Sequence, residues 1–538
     1  VLDTAGEIVR RNQELEQQRS SFLSQWTDIS ENILGRGDFQ TLTTSLLQNQ
    51  GIKKTRKLYD TTARKRGRDL AGNLGSLITP PTVRFVGLQT HPAEMRGFFA
   101  IDSWLDFAEN WMLRVFQRRR GGWLQASQPT YEDVVFYGTG AMFTQAQLGF
   151  GPKFQSRPLS ELTIDVGPDG FVDTVFRKYA LRTRSFRQEF GEGADPEMDR
   201  LWESGEDRPI EILHLVHPRS ESGVLNSRPW RSVHVRSDKP RILRESGYWT
   251  FPWAIPRWAI DTGNVFGTGP GMDVLSDALG ANAMARDLLI ASNKAVMPPM
   301  GIPDDGIVGP VSFAPNSFTT YRAGMFQSNP FHPIHEVGQY PFSIDMLQDK
   351  RRQIIEGMYG DLLVAANASG TATEFIGSEE KLAEKAGPMV GRVAAELVES
   401  TVVRILDIGE RMGLLPPRPP ELQGVLVTVK YESPIVRVQR RREARGIMGT
   451  YEAYGAMATV NPEVFDNIDP DAAARAIADA SIIPPSVMRS EQEVGAIREE
   501  RARAQAIADA SAEAQAAAQA LGQAGGAAQS VAAAVNLQ

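Results

Sequence analysis

The sequence predicts a mainly α-helical protein with one β-rich insert, an α+β chain divided into several regions. Three observations carry that reading. Apolar residues recur at steps of three and four along most of the chain, period-two runs are confined to about 153–250, and proline and glycine fall where one pattern gives way to the other. At 538 residues the chain is too long for one ordinary core, and its 42% hydrophobic and 23% charged content is that of folded proteins.

Leu15, Phe22, Leu23, Trp26 and Ile29 stand at helical spacing in the first 50 residues. Val1 to Glu16 is polar and lacks the apolar centre of a signal peptide, so no export is expected. Two basic clusters, Lys53–Lys57 and Arg64–Arg68, flank Leu58-Tyr59-Asp60. Leu70, Leu74, Leu77 and Ile78 then extend a helix that Pro80-Pro81 stops. Ser103–Phe116 reads as an amphipathic helix with Trp104, Phe107, Trp111 and Val115 on one side, and Tyr131–Phe143 is apolar but interrupted by Gly138-Thr139-Gly140. From Lys153 to Val235, alternating runs such as Phe171–Phe176 and Ile210–Leu215 predict strands, with Gly167-Pro168-Asp169-Gly170 as a turn.

From Gly271, the residues Val274, Ala278, Ala281, Met284, Leu288, Ala291 and Ala295 predict a long helix whose alanines admit a close neighbour. Met297-Pro298-Pro299 ends it, and a turn-rich stretch with little periodicity runs to 342. A second helix is expected from an N-cap at Ser343, with Ile344, Leu347, Ile354 and Met358 inward. Leu362–Gly370 holds mostly small residues, as an exposed loop passing close to another body would. Thr371-Ala372-Thr373-Glu374 has capping-box spacing and opens a helix to about Met412, bent at Gly387-Pro388. Pro416–Pro420 imposes a stiff connector, Val425–Val429 reads as a strand and Pro434–Met457 as mostly helix. Helical segments then alternate with stops at Pro470 and Pro484-Pro485. The Ala-rich end, Ala504–Ala533, has helical propensity but little to bury.

The chemistry is sparse. With no cysteine, thiolate catalysis, disulfides and Cys-based zinc sites are excluded. Gly267-Thr268-Gly269-Pro270-Gly271 before a helix permits either a structural turn or a phosphate site, but it has neither dinucleotide spacing nor a Gly-Lys-Ser/Thr. His332, His335 and Glu336 do not follow helical ligand spacing, so no metal is expected, and no Gly-x-Ser-x-Gly elbow occurs. Lys53–Lys57, Arg64–Arg68, Arg118–Arg120 and Arg440–Arg442 read either as solvated or subunit-pairing faces or as phosphate contacts. None is interleaved with aromatics along the sequence. A net charge of −7 argues against tight capture of nucleic acid. No catalytic residue, cofactor or membrane span is expected, which favours a structural assembly protein over an enzyme.

Several blocks resemble the head-to-tail connector (portal) family of short-tailed bacteriophages. They are Leu58-Tyr59-Asp60-Thr61-Thr62 with Asn73-Leu74 and Pro80-Pro81, and Phe136–Ala141. The closest runs from Phe251-Pro252-Trp253 through Trp258, Gly263, Phe266–Pro270 and Pro298-Pro299. Thr371–Glu374 with Gly387-Pro388 and Arg392 follows, so the set runs in order from about 55 to 500. The resemblance implies a ring, commonly of twelve subunits. In this chain the wing would be 1–270, with its β-rich insert at about 153–250. Stem helices would be 271–296 and 343–360, the clip 297–342 and the tunnel loop 361–370. A long kinked helix returning to the wing would take 371–434, the crown 435–505 and a tail 506–538. It further implies that Leu363, Val364, Ala365, Ala366, Asn367, Ala368, Ser369, Gly370 and Thr371 face DNA, with Lys350, Arg351 and Arg352 as phosphate contacts. Implied partners are double-stranded DNA, a terminase motor, tail adaptors, and major capsid and scaffolding or internal core proteins. The implied location is the virion's portal vertex, after assembly in the host cytoplasm. Twelve chains at −7 each sum to a formal −84, which suits passage of DNA rather than its retention. The alternatives are another phage ring, such as a tail adaptor or internal core protein, and a nucleotide-binding enzyme using Gly267–Gly271.

Overall fold

The computed structural model describes residues 4–36, 58–80, 85–91, 99–219, 228–304, 341–360, 387–422, 424–431, 434–458, 469–480 and 493–512. Residues 39, 332–333, 467, 515 and most of 312–322 are described beside them. The chain divides into two compact units, residues 1–438 and 439–538.

In the first unit, α1 (Ala5–Ile29) starts from a capping box in which Thr4 and Glu7 satisfy each other's backbone N–H groups. Its apolar face buries Ile8, Leu15, Trp26 and Ile29, and the Trp26 indole N–H donates to the Tyr137 carbonyl at 3.1 Å. Trp26 and Ile29 join one large core shared with α2 (Thr62–Ile78), α3 (Phe99–Gln117) and α4 (Trp123–Tyr137), whereas Ile8 and Leu15 pack in a separate cluster with Phe176, Leu213, Leu215, Val233 and Val235. The inward face of α3 comprises Ile101, Trp104, Leu105, Ala108, Trp111, Met112 and Val115. Phe107 falls off the edge of that arc and is 43% exposed, a correction to the expected one-sided set.

The β-rich insert is a five-stranded antiparallel sheet, β4 (Leu162–Val166), β5 (Val172–Arg182), β6 (Pro209–Pro218), β7 (Trp230–Arg236) and β8 (Arg241–Tyr248), paired in that order. The expected turn sits between β4 and β5, where the Gly170 amide donates to the Gly167 carbonyl at 3.0 Å and Gly170 has φ 79°. Between β5 and β6 the chain adds two short helices, α5 (Thr183–Phe190) and α6 (Pro196–Ser204), that alternation alone did not reveal. The second is tied down at its N-cap by Arg236, whose buried guanidinium reaches Asp195 at 2.8 Å and, beyond β7, Asp238 at 2.6 Å.

A smaller sheet pairs β2 (Met142–Gln147) with β3 (Gly151–Ser156) and β9 (Trp253–Ala254). A distant pair joins β1 (Val86–His91) antiparallel to β13 (Leu426–Tyr431). The long helix is described from Gly387, so the expected bend falls at its first described residues. It passes through a π-turn at Ala395–Glu399 into α9 (Ser400–Arg411).

In the second unit, residues 470–480 (α11, Pro470–Ala480) and 493–512 are helical, and the Arg498 guanidinium pairs with Asp471 at 2.6 Å. The helix α10 (Pro434–Ala458) runs across the division between units. Most of the Ala-rich end lies outside the described residues.

Candidate functional site

The candidate site is a pair of helices with a module between them: α7 (Leu275–Val296) and α8 (Pro341–Gly357). The second helix begins at Pro341, not at an N-cap on Ser343. Proline is suited to a first turn because its φ is already helical and the N–H it lacks would have no helical partner there.

The two helices pack side by side at their base. Val274, Ala278 and Ala281 are buried from one side and Leu347, Ile354 and Met358 from the other. A side chain on Gly357 would collide with the Val274 methyl, so the glycine sets how closely the helices approach. The Lys350 ammonium reaches the Asp277 carboxylate at 2.8 Å. A third segment crosses both: the amides of Tyr59 and Asp60 donate to Asn282 Oδ1 at 2.6 and 3.1 Å, and Arg351 Nε donates to Asp60 Oδ2 at 2.7 Å. Burial works against the Asp60 carboxylate, but the Thr62 amide and the Arg351 guanidinium hold its pKa below the ordinary value. The Leu58-Tyr59-Asp60 block thus has a structural task, as a strap over the base of the pair. Of the three expected phosphate contacts, Lys350 and Arg351 hold carboxylates on other segments. Arg352 lies 3.4 Å from Asp349 with its side chain 70% exposed.

Away from the base the predicted stripe opens to solvent. Met284 and Leu288 are half-buried, Ala295 is exposed, and Leu289, Ile290, Val296 and Met297 are exposed apolar residues. The module between the helices contains a small sheet, β10 (Met300–Asp304) between β11 (Phe318–Arg322) and β12 (His332–Pro333). The run Phe318-Thr319-Thr320-Tyr321, aromatic and β-branched, was the available signal for it. Loop 361–370 and Thr371 lie outside the described residues, as do Lys53–Lys57, His335, Glu336, Thr371–Glu374 and the side chains of His332 and Arg440–Arg442. In the Arg64–Arg68 cluster, Arg66 pairs with Asp69 and Arg68 with Glu132.

The glycines of 267–271 form a backbone crossing with Gly138-Thr139-Gly140. A Cβ on Gly269 would stand 2.7 Å from the Gly138 nitrogen, and one on Gly271 would stand 2.6 Å from the Phe136 carbonyl. The Gly267 amide donates to Thr139 Oγ1 at 2.9 Å and the Thr268 amide to the Ala259 carbonyl at 2.7 Å, so N–H groups a phosphate would need already have partners. Among the described residues no group of three His, Asp or Glu side chains is placed to hold a metal ion, and no helix is long and apolar enough to cross a membrane.

Comparison with known proteins places these features in a family. The chain is 29% identical over 518 residues to the portal protein of Salmonella phage epsilon15, covering 93% of this chain and 91% of the relative. It is 26% identical over 512 residues to a probable portal protein of Bordetella phage BPP-1, with the same coverage. A solved chain from the neck of an empty gene transfer agent particle aligns at 12% identity with a TM-score of 0.37, covering 76% of this chain and 89% of the other. The family model for the bacteriophage head to tail connecting protein matches residues 5–488, and the chain belongs to that family.

Proposed function

We propose that this chain is the repeating subunit of a portal: a ring at one capsid vertex through which double-stranded DNA is packaged and later ejected. The observation that carries the reading is the helix pair α7 and α8, anchored at its base while its far end exposes Leu289, Ile290, Val296 and Met297. A helix face left apolar in one copy fits a neighbour related by rotation, and repeated rotation closes a ring. Membership in the connector family over 484 residues, 5 to 488, supplies the context.

On this reading α7 and α8 are stem helices, the sheet between them belongs to the clip, residues 1–270 form the wing and 435–505 the crown. Residues 363–371 are the loop facing DNA. Lys350, Arg351 and Arg352 are weak phosphate contacts, with Arg352 needing the least desolvation. The acidic balance of the chain keeps DNA moving rather than bound. Mechanical work comes from a terminase partner, tail adaptors later occupy the same end, and capsid and scaffolding or core proteins hold the rim. The chain itself acts as structure, in the virion, and not as an enzyme. Electron microscopy of the purified protein tests this: rings of about twelve copies with an axial opening wide enough for a duplex are expected. Monomers or closed discs would refute it.

A further inference from the structure

The turn Arg118–Gly121 and the tip of the β2–β3 hairpin form a basic, aromatic-walled cleft outside the helix pair. The Gly121 amide closes the turn on the Arg118 carbonyl at 3.1 Å, and the Phe154 amide donates to the Gly121 carbonyl at 2.8 Å, so the turn is fastened to β3. Opposite it, the hairpin is closed by the Phe150 amide on the Gln147 carbonyl at 3.0 Å, with Gly149 and Gly151 at φ 78° and 92°. The Arg120 guanidinium lies 3.7 Å from the centre of the Phe150 ring, and Arg118 donates to the Phe150 carbonyl at 3.4 Å. Folding thus supplies the aromatic interleaving that the linear basic run lacks.

Two features distinguish this cleft from a solvated charge run. Elsewhere Arg177, Arg231, Arg236 and Arg404 each hold a carboxylate, whereas among the described residues Arg118, Arg119 and Arg120 hold none. Beside them the hairpin tip exposes Leu148 at 91% and Phe150 at 43%. Cations that hold no carboxylate, next to exposed apolar side chains, fit an occupant that is acidic and apolar at once.

We propose that this cleft docks an acidic peptide segment of a partner protein, with carboxylates on Arg118–Arg120 and one apolar side chain against Phe150 in the cleft wall and Leu148 at the exposed hairpin tip beside it. Its volume of about 300 Å³ holds one or two side chains, not a duplex. The chain carries seven more acids than bases, a field that repels a polyanion. A short peptide, screened beyond about 8–10 Å, responds mainly to the local cations.

The test uses the full chain and a fluorescein-labelled hexapeptide, Asp-Glu-Phe-Asp-Leu-Glu, followed by anisotropy at low salt. Its carboxamide counterpart, Asn-Gln-Phe-Asn-Leu-Gln, and a DNA duplex of roughly 20 base pairs serve as controls. The acidic peptide is expected to bind at least about tenfold more tightly than the amide peptide. Arg119→Glu with Arg120→Glu should remove about tenfold or more of that affinity, and Leu148→Ser about threefold, with unfolding temperatures unchanged because these positions are exposed. Equal binding of the two peptides, competition by the duplex, or indifference to Leu148→Ser would overturn the proposal. So would self-association of the chain that disappears with Arg119→Glu/Arg120→Glu, because the occupant would then be a second copy.

Discussion

Arg257 and Glu396 form a buried ion pair, 2.6 Å from Nη2 to Oε1, with side chains only 2% and 8% exposed. Glu396 also accepts the Arg257 backbone N–H at 2.7 Å, so one carboxylate in the π-turn pins the segment leading into the glycine crossing. Removing only the acid leaves a cation stranded in the core. Glu396→Ala should therefore cost about 3–5 kcal/mol, measured by chemical denaturation, and Arg257→Met with Glu396→Leu should cost less than the single change. A single-mutant loss below about 1 kcal/mol would show that the pair does not hold this region.

His214 and His234 are cross-strand partners whose rings stack 4.0 Å apart. Burial, then His234, keeps His214 well below the ordinary imidazole pKa. Burial, then Arg244 and Arg177, pushes His234 down to about 3. The unfolded chain takes up protons below pH 6.5 that the native sheet refuses, at His234 until near pH 3. Stability is therefore lost as pH falls through that window. His234→Phe keeps a ring in the stack without a titrating group, and should remove about 2 kcal/mol of the stability lost between pH 6.5 and 5. Denaturation midpoints that decline equally with pH in both proteins would contradict this.

Asp133 is buried on α4, and burial pushes its carboxyl up to about 7, against the opposing charge of Arg36. Here the native protein holds a proton that the unfolded chain releases, so stability falls as pH rises from about 4 to 7. Asp133→Asn should stabilise the protein at pH 8 by up to about 4 kcal/mol more than at pH 4. Thermal unfolding at the two values checks it, and an equal effect at both would place the origin elsewhere.

The glycine crossing and Gly280 on α7 make opposite predictions. Gly138 has φ 77° and would press a Cβ into the Gly267 carbonyl, so Gly138→Ala should cost more than about 2 kcal/mol. A Cβ on Gly280, within α7, meets nothing within 4 Å, and Gly280→Ala should add roughly 0.5–1 kcal/mol to the isolated chain. Calorimetry on the pair decides it; similar shifts in both would mean the crossing is looser than it appears.

Where the fold rests on local periodicity, it was legible in the sequence. Leu70 and Leu74 on α2, Ala278 and Ala281 on α7, and the turn at Gly167–Gly170 all lie where spacing and punctuation place them. What escaped depends on residues far apart in the chain. Nothing near Val86 announces a partner at Tyr431, nothing in Asp60 names Arg351, and nothing in Gly267–Gly271 or Gly138–Gly140 says that the two segments cross. The candidate site was half legible for the same reason. Helical spacing gave both α7 and α8, while the strap across them and the sheet between them required contacts that one sequence does not display.

The seam between Val86–His91 and Leu426–Tyr431 has a consequence for biosynthesis. Gln89 and Thr428, hydrogen-bonded across it, are 339 residues apart. At ribosomal speeds of about 5–20 residues per second, the earlier strand is made roughly 17–70 s before its mate. During that interval an apolar edge carrying Val86 and Leu88, both buried in the finished fold, stands open on the nascent chain. Production of this protein should therefore depend on chaperones, or on slow expression at low temperature, far more than the stability of its completed core would indicate.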